Sequence, residues 1–142
     1  GRALVGRLGF DLALQDVQAT AAQLAGDGPV GVVGYCWGGT VAFLANTRLS
    51  LPAVSYYGAR TVPFLDERAE APMMFHFGER DASICAHDIE LHREHQAHAE
   101  IHVYPAGHGF NCDQRPDFER HSAALALERT LAFFRRTLHP AH

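Results

Sequence analysis

Val30-Gly31-Val32-Val33-Gly34-Tyr35-Cys36-Trp37-Gly38-Gly39 decides the fold. The apolar run 30–33, bounded by Pro29 and Gly34, suits a short strand buried in a parallel sheet. Residues 38–46 then read as a helix rich in small side chains. A sharp turn from strand to helix pushes one side chain out above the sheet. Its strained backbone leaves no room for large neighbours, so glycine is needed two residues before and two after. Gly34 and Gly38 hold those positions around Cys36. The following helix points its positive N-terminal end at Cys36 and favours the thiolate over the thiol, whose free pKa is about 8.5. The backbone N–H of Trp37 is placed to bind an oxyanion.

Outward from this turn, the chain alternates short strands with longer helices. A helix over 11–25 carries Leu12, Val17, Ala21 and Leu24, and Gly26-Asp27-Gly28-Pro29 ends it. Strands are expected over 53–57, 73–77 and 101–104, and helices over 88–99 and 118–138. This order implies right-handed crossovers and an α/β fold: a mostly parallel sheet with helices on both faces, in one domain over 1–142. Ligand sites in such sheets lie beyond the carboxyl ends of the strands.

Composition removes several classes of function. The 142 residues are 47% apolar and 20% charged, ordinary for a soluble globular protein. A net charge of -4, with arginine as the only strong base, gives no support to nucleic-acid or anionic-membrane binding. No apolar run approaches the roughly 20 residues of a membrane span. The start, Gly1-Arg2-Ala3-Leu4, has no signal-peptide form. Cys36, Cys85 and Cys112 are odd in number and widely spaced, so they form no disulfide framework or zinc ribbon. A cytoplasmic protein with reduced thiols is the expectation.

Two further strand ends carry reactive side chains. Gly78-Glu79-Arg80-Asp81 follows the third strand, and a carboxylate there can orient a histidine. Asp66, Glu67, Glu70, Glu79 and Asp88 compete but sit less well. Tyr104-Pro105-Ala106-Gly107-His108-Gly109-Phe110 follows the fourth strand and offers His108 as an exposed loop imidazole. The chain order Cys36, Asp81, His108 is the nucleophile–acid–histidine order of α/β-hydrolases.

These stretches resemble the dienelactone hydrolases, a branch of the α/β-hydrolase fold with a Cys-His-Asp triad. The resemblance rests on Gly34-Tyr35-Cys36-Trp37-Gly38-Gly39, Tyr56-Tyr57-Gly58, His76-Phe77-Gly78-Glu79-Arg80-Asp81 and Gly107-His108-Gly109-Phe110. Glu128-Arg129-Thr130-Leu131-Ala132-Phe133-Phe134 is similar to the family's closing helix. The resemblance implies that Cys36 attacks the carbonyl of a lactone or ester to form an acyl-enzyme. His108, held by Asp81, would pair with Cys36 and later activate water, and Tyr57 would lie near the substrate. It implies a small-molecule substrate and neither cofactor nor metal. Members that act on dienelactone carry arginine four residues after the histidine; here Cys112 stands there, with Arg115 three further on. Gly109 replaces a frequent serine.

Members also have several strands before the elbow, where only about 35 residues precede Cys36 here. N-terminal strands, a second oxyanion donor and a glutamate that controls the cysteine are therefore expected to be missing. The first strand would present an unpaired edge, which a second copy of the chain would cover. Other readings are a thioesterase or general carboxylesterase of the same fold, and a non-catalytic or incomplete hydrolase-like domain. His87, His92, His95, His98 and His102 crowd one stretch, but nothing fixes a third metal ligand. A solvated helix face is expected for His92 and His95, a buried hydrogen-bonded ring for His76, and a packed side chain for Cys85. Cys112 is a candidate second thiol at the site. Phe10, Phe43, Phe64, Phe133 and Phe134 read as core.

Overall fold

The computed structural model describes residues 2–112 and 119–138. Four strands pair in the order β1-β2-β3-β4, every pair parallel: β1 Val32–Tyr35, β2 Ala53–Tyr56, β3 Met73–Gly78 and β4 Glu100–Tyr104. Among the described residues four α-helices accompany them: α1 Arg2–Leu24, α2 Trp37–Leu49, α3 Ala86–His95 and α4 Arg120–Leu138. Tyr35 lies opposite Tyr56, Tyr56 opposite His76, and Gly78 opposite Tyr104. All four strands thus end on the same side of the molecule, and the loops that follow share one rim.

Side-chain alternation along the strands separates two faces. On one, Phe75 of β3 meets Phe43 of α2 and His92 of α3. On the other, Tyr56 and His76 bond to Thr130 of α4. Strands β2 and β3 are buried along their whole length, as a sheet covered on both faces requires. Helix α2 runs against β1 and β2, with residues 39–46 all buried. Its glycines and alanines allow that close approach. In α4 the buried residues are Ser122, Ala126, Thr130 and Phe133, one stripe at helical spacing. Outside this cover, Val33 and Tyr35 of β1 stay exposed.

The fold class is the expected one, and several element limits move. Strand β1 starts at Val32 and runs through Gly34 to Tyr35, because the ladder with β2 carries it up to the elbow. Helix α1 extends to Arg2, and α3 spans Ala86–His95, with Gln96 breaking away at its end. Gln96 leaves the helix to bond the carbonyls of Leu65 and Glu67. The expected start of the last helix at Phe118 falls outside the described residues.

Two expectations about burial in and before α3 fail. His92 is buried, because it lies three residues from Ile89 on the face of α3 that meets β3. Its ring packs edge-on against Phe75 and Phe77, and its Nδ1 donates to the Asp88 carbonyl at 2.7 Å. His95, by contrast, is exposed. Cys85 is exposed too, since it occupies the turn before α3 rather than a packed site. Of the expected core, Phe10, Phe43 and Phe133 are buried, while Phe64 and Phe134 are half-buried at its margin.

Candidate active site

At the elbow the backbone is strained and closely packed. Cys36 has φ 55° and ψ -123°, a region that L-residues enter only under strain. Its N–H donates to the Tyr56 carbonyl at 3.0 Å, continuing the β1–β2 ladder into the turn. A Cβ on Gly34 would lie 1.9 Å from the Gly38 carbonyl oxygen, so strand and helix touch backbone to backbone there. Gly38 itself faces open space. The tight position on the helix side is Gly39, where a Cβ would come within 2.8 Å of the Tyr56 carbonyl. Residue crowding at the elbow thus falls one position later than expected.

Trp37 opens α2, where the first N–H groups of a helix lack intrahelical acceptors. Its indole is half-exposed and stacks on Phe10 of α1, with centroids 4.9 Å apart and planes 8° from parallel. That stack ties α1 to the elbow.

Asp81 and His108 meet from different loops. His108 Nδ1 lies 2.7 Å from Asp81 Oδ2, and the Asp81 carboxylate is fully buried. Asp81 Oδ1 accepts the Ser83 N–H at 2.7 Å, which fixes the carboxylate from its other oxygen. The two loops are joined by the Glu79 N–H to the Tyr104 carbonyl at 2.8 Å and the Arg80 N–H to the Ala106 carbonyl at 3.0 Å. The Arg80 side chain also donates to the Pro105 carbonyl at 2.6 Å. Expected as an exposed imidazole, His108 is instead mostly covered, with 21% of its side chain reaching solvent.

Tyr57 connects this pair to the elbow. Its ring lies 5.2 Å from that of His108, and it has φ 41° at the end of β2. Burial pushes its hydroxyl well above the usual tyrosine range; the charge of Cys36 adds to the shift, and a backbone hydrogen bond with Asn111 opposes it. The phenol is therefore held in its neutral form. Cys112 is exposed and adds a smaller influence on the same hydroxyl. Arg115 lies outside the described residues. Of the competing carboxylates, Glu67 bonds Arg48 and Thr47.

Two residues went unmarked in the sequence. Tyr35 packs at a tilt against Tyr56, with centroids 4.6 Å apart, and lies 6.3 Å from Tyr57. Phe110 is wholly buried against Tyr57 and Tyr104. Both sat inside quoted motifs, but no spacing rule singles them out. Among the described residues, no cluster of three or more His, Cys, Asp or Glu could hold a metal ion.

A family model described as the dienelactone hydrolase family matches residues 7–138. The chain belongs to that family. It is 35% identical over 132 residues to a carboxymethylenebutenolidase from a Pseudomonas strain, covering 85% of this chain and 55% of the relative. A carboxymethylenebutenolidase of Cupriavidus pinatubonensis is 33% identical over 115 residues, covering 74% and 47%. Among solved structures, a Klebsiella pneumoniae protein provisionally named a dienelactone hydrolase superposes with a TM-score of 0.76 at 31% identity, covering 85% of this chain and 59% of that one. An esterase from Pyrococcus furiosus, at 13% identity and a TM-score of 0.70, shares the fold. The chain spans about half the length of the curated relatives it matches. No helix among the described residues is long and apolar enough to cross a membrane.

Proposed function

We propose that the protein hydrolyses lactones or carboxylic esters through an acyl-enzyme on Cys36, with His108 as base and acid and Asp81 as its orienting carboxylate. The observation that carries this reading is the 2.7 Å contact of His108 Nδ1 with the buried Asp81, on the rim that also holds the strained Cys36. A carboxylate on Nδ1 leaves Nε2 as the working nitrogen of the imidazole. In this reading Cys36 Sγ, as thiolate, adds to the substrate carbonyl. The Trp37 N–H stabilises the resulting oxyanion. Collapse breaks the acyl–oxygen bond, and the His108 imidazolium gives its Nε2 proton to the departing oxygen. In a lactone that oxygen stays tethered to the acyl group. Neutral His108 then takes a proton from water, the hydroxide cleaves the thioester, and the acid leaves with Cys36 restored.

Tyr57 borders the substrate in this reading, with its hydroxyl held neutral by burial. The names of the relatives support lactones as the first substrates to try. The proposal extends to a cytoplasmic location, where Cys36 stays reduced. It also extends to a homodimer through the outer edge of β1, beside exposed Val33 and Tyr35. Light scattering that finds only monomer overturns the dimer.

The test is hydrolysis of a lactone, an aryl ester and an acyl thioester by wild type, Cys36→Ser and Cys36→Ala. Turnover of lactone and ester that disappears in Cys36→Ala is expected. Turnover of the thioester alone redirects the reading to a thioesterase, and equal rates in wild type and Cys36→Ala refute it.

A further inference from the structure

The strand ends rest on a buried polar chain that the hydrolytic reading leaves unused. His76 is wholly buried in β3. Its Nδ1 lies 2.8 Å from the Tyr104 hydroxyl and its Nε2 2.9 Å from Thr130 Oγ1. Thr130 also meets the Tyr56 hydroxyl at 2.8 Å. Arg129 donates from Nη1 to the Tyr104 hydroxyl at 3.2 Å, with its guanidinium carbon 5.4 Å from the centre of that ring. Two consecutive residues of α4 therefore grip three strands: Thr130 reaches β2 and β3, and Arg129 reaches β4.

The chemistry gives this chain a direction. A guanidinium only donates, so the Tyr104 oxygen accepts from Arg129. Among the described residues the other partner of that hydroxyl is His76 Nδ1, which takes its proton. His76 is neutral, since burial, helped by His102 and Arg129, pushes it down to about 3. Its own proton then sits on Nε2 and is donated to Thr130. Every member has a partner, the condition under which a buried network holds one arrangement. Removing one member leaves its neighbour buried and unpaired.

Phe110 sits against this chain. Its ring is 5.2 Å from Tyr104, 5.3 Å from Tyr57 and 6.4 Å from Tyr56. It follows His108 by two residues on the same loop, and Tyr57 touches the His108 ring from the side. We infer that Thr130, His76, Tyr104 and Arg129 are positioning residues for His108: their hydrogen-bonded chain fixes the rings that hold Phe110, and Phe110 fixes the loop that brings His108 to Asp81. The consequence for turnover rests on the hydrolytic reading above. The effect on the His108 ring does not.

Thr130→Val keeps the branched shape and deletes the hydroxyl shared by His76 and Tyr56, while Thr130→Ser keeps it. Histidine-selective ¹⁵N NMR on the full chain reads both rings. In wild type, His76 is expected in the Nε2–H form with no titration near neutral pH. In Thr130→Val the His108 ring signals are expected to shift and broaden, and in Thr130→Ser to return. Unchanged His108 signals in Thr130→Val, or equal disturbance in Thr130→Ser, overturn the inference. If Thr130→Val does not fold, Tyr104→Phe cuts the chain at its other end and is judged by the same signals. In the kinetic arm, Thr130→Val is expected to lower kcat about tenfold or more with KM near wild type, since small misplacements of a catalytic group are costly. A wild type that hydrolyses no ester or lactone defeats the hydrolytic reading, and the NMR arm still decides the positioning.

Discussion

Cys36 holds a backbone conformation that costs of order 1–3 kcal/mol, and its surroundings are built to enforce it. The enforcement is most severe at Gly34, where a methyl group would sit 1.9 Å from a carbonyl oxygen. Gly34→Ala is expected to cost about 3 kcal/mol or more and to open the elbow. Chemical denaturation checks this, and a near-neutral change speaks against the tight crossing. Asp81→Asn keeps the shape of the side chain but hands His108 a different partner. In the proposed mechanism it lowers kcat by roughly 10³-fold or more while leaving the fold intact, as an assay with matched thermal melts will show. At this scale the sequence was most readable where chemistry and glycine coincide. Cys36, Asp81 and His108 could each be named from a strand end. The covering of His108 could not, because Tyr57 packs against its ring from the end of another strand, a long-range property. Gly39 was missed for the same reason: its crowding comes from Tyr56 across the sheet.

Among the elements, α3 shows how far periodicity carries. The helix was legible, but its buried stripe was not, since His92 is polar by type and yet fills the core between Phe75 and Phe77. Its Nε2 is buried with no hydrogen-bond partner among the described residues. An aromatic hydrocarbon should suit that side of the site, whereas Nδ1 forms a real bond to Asp88. His92→Phe is therefore expected to change stability by less than about 1.5 kcal/mol, one lost hydrogen bond against one relieved orphan. Urea titration at neutral pH measures it, and a loss of several kcal/mol shows that the Asp88 bond dominates. In α4 the sequence pattern marked the helix, but its buried stripe includes Ser122 and Thr130, which no apolar period picks out. It gave no sign that Thr130 and Arg129 reach three strands, because that depends on Tyr56, His76 and Tyr104 being adjacent across the sheet.

For the whole molecule, the alternation of strands and helices was enough to give the parallel sheet, and parallel order was enough to gather the three reactive strand ends on one rim. Stability against pH is also a property of the whole. His76 and His92 are held below their ordinary range, chiefly by burial. An unfolded chain takes up protons near pH 6.5, while folded His76 resists until about 3. The unfavourable effect is absent above about pH 6.5 and grows as pH falls, for His76 by roughly 1.4 kcal/mol per unit down toward 3, with His92 acting in the same direction. The urea midpoint should be clearly lower near pH 5 than near pH 7.5, and His92→Phe should flatten the slope. A midpoint independent of pH across that range contradicts the buried, neutral histidines.

The central claim is that Cys36 is the nucleophile, and one measurement reaches it without depending on complete turnover. The protein is mixed briefly with a reactive aryl acetate, quenched in acid, digested and mapped by mass spectrometry. An acetyl group is expected on Cys36 well ahead of exposed Cys85 and Cys112, and slowed in Asp81→Asn. Labelling of the three cysteines at similar rates, or a Cys36 that stays unlabelled while the ester is consumed, contradicts it.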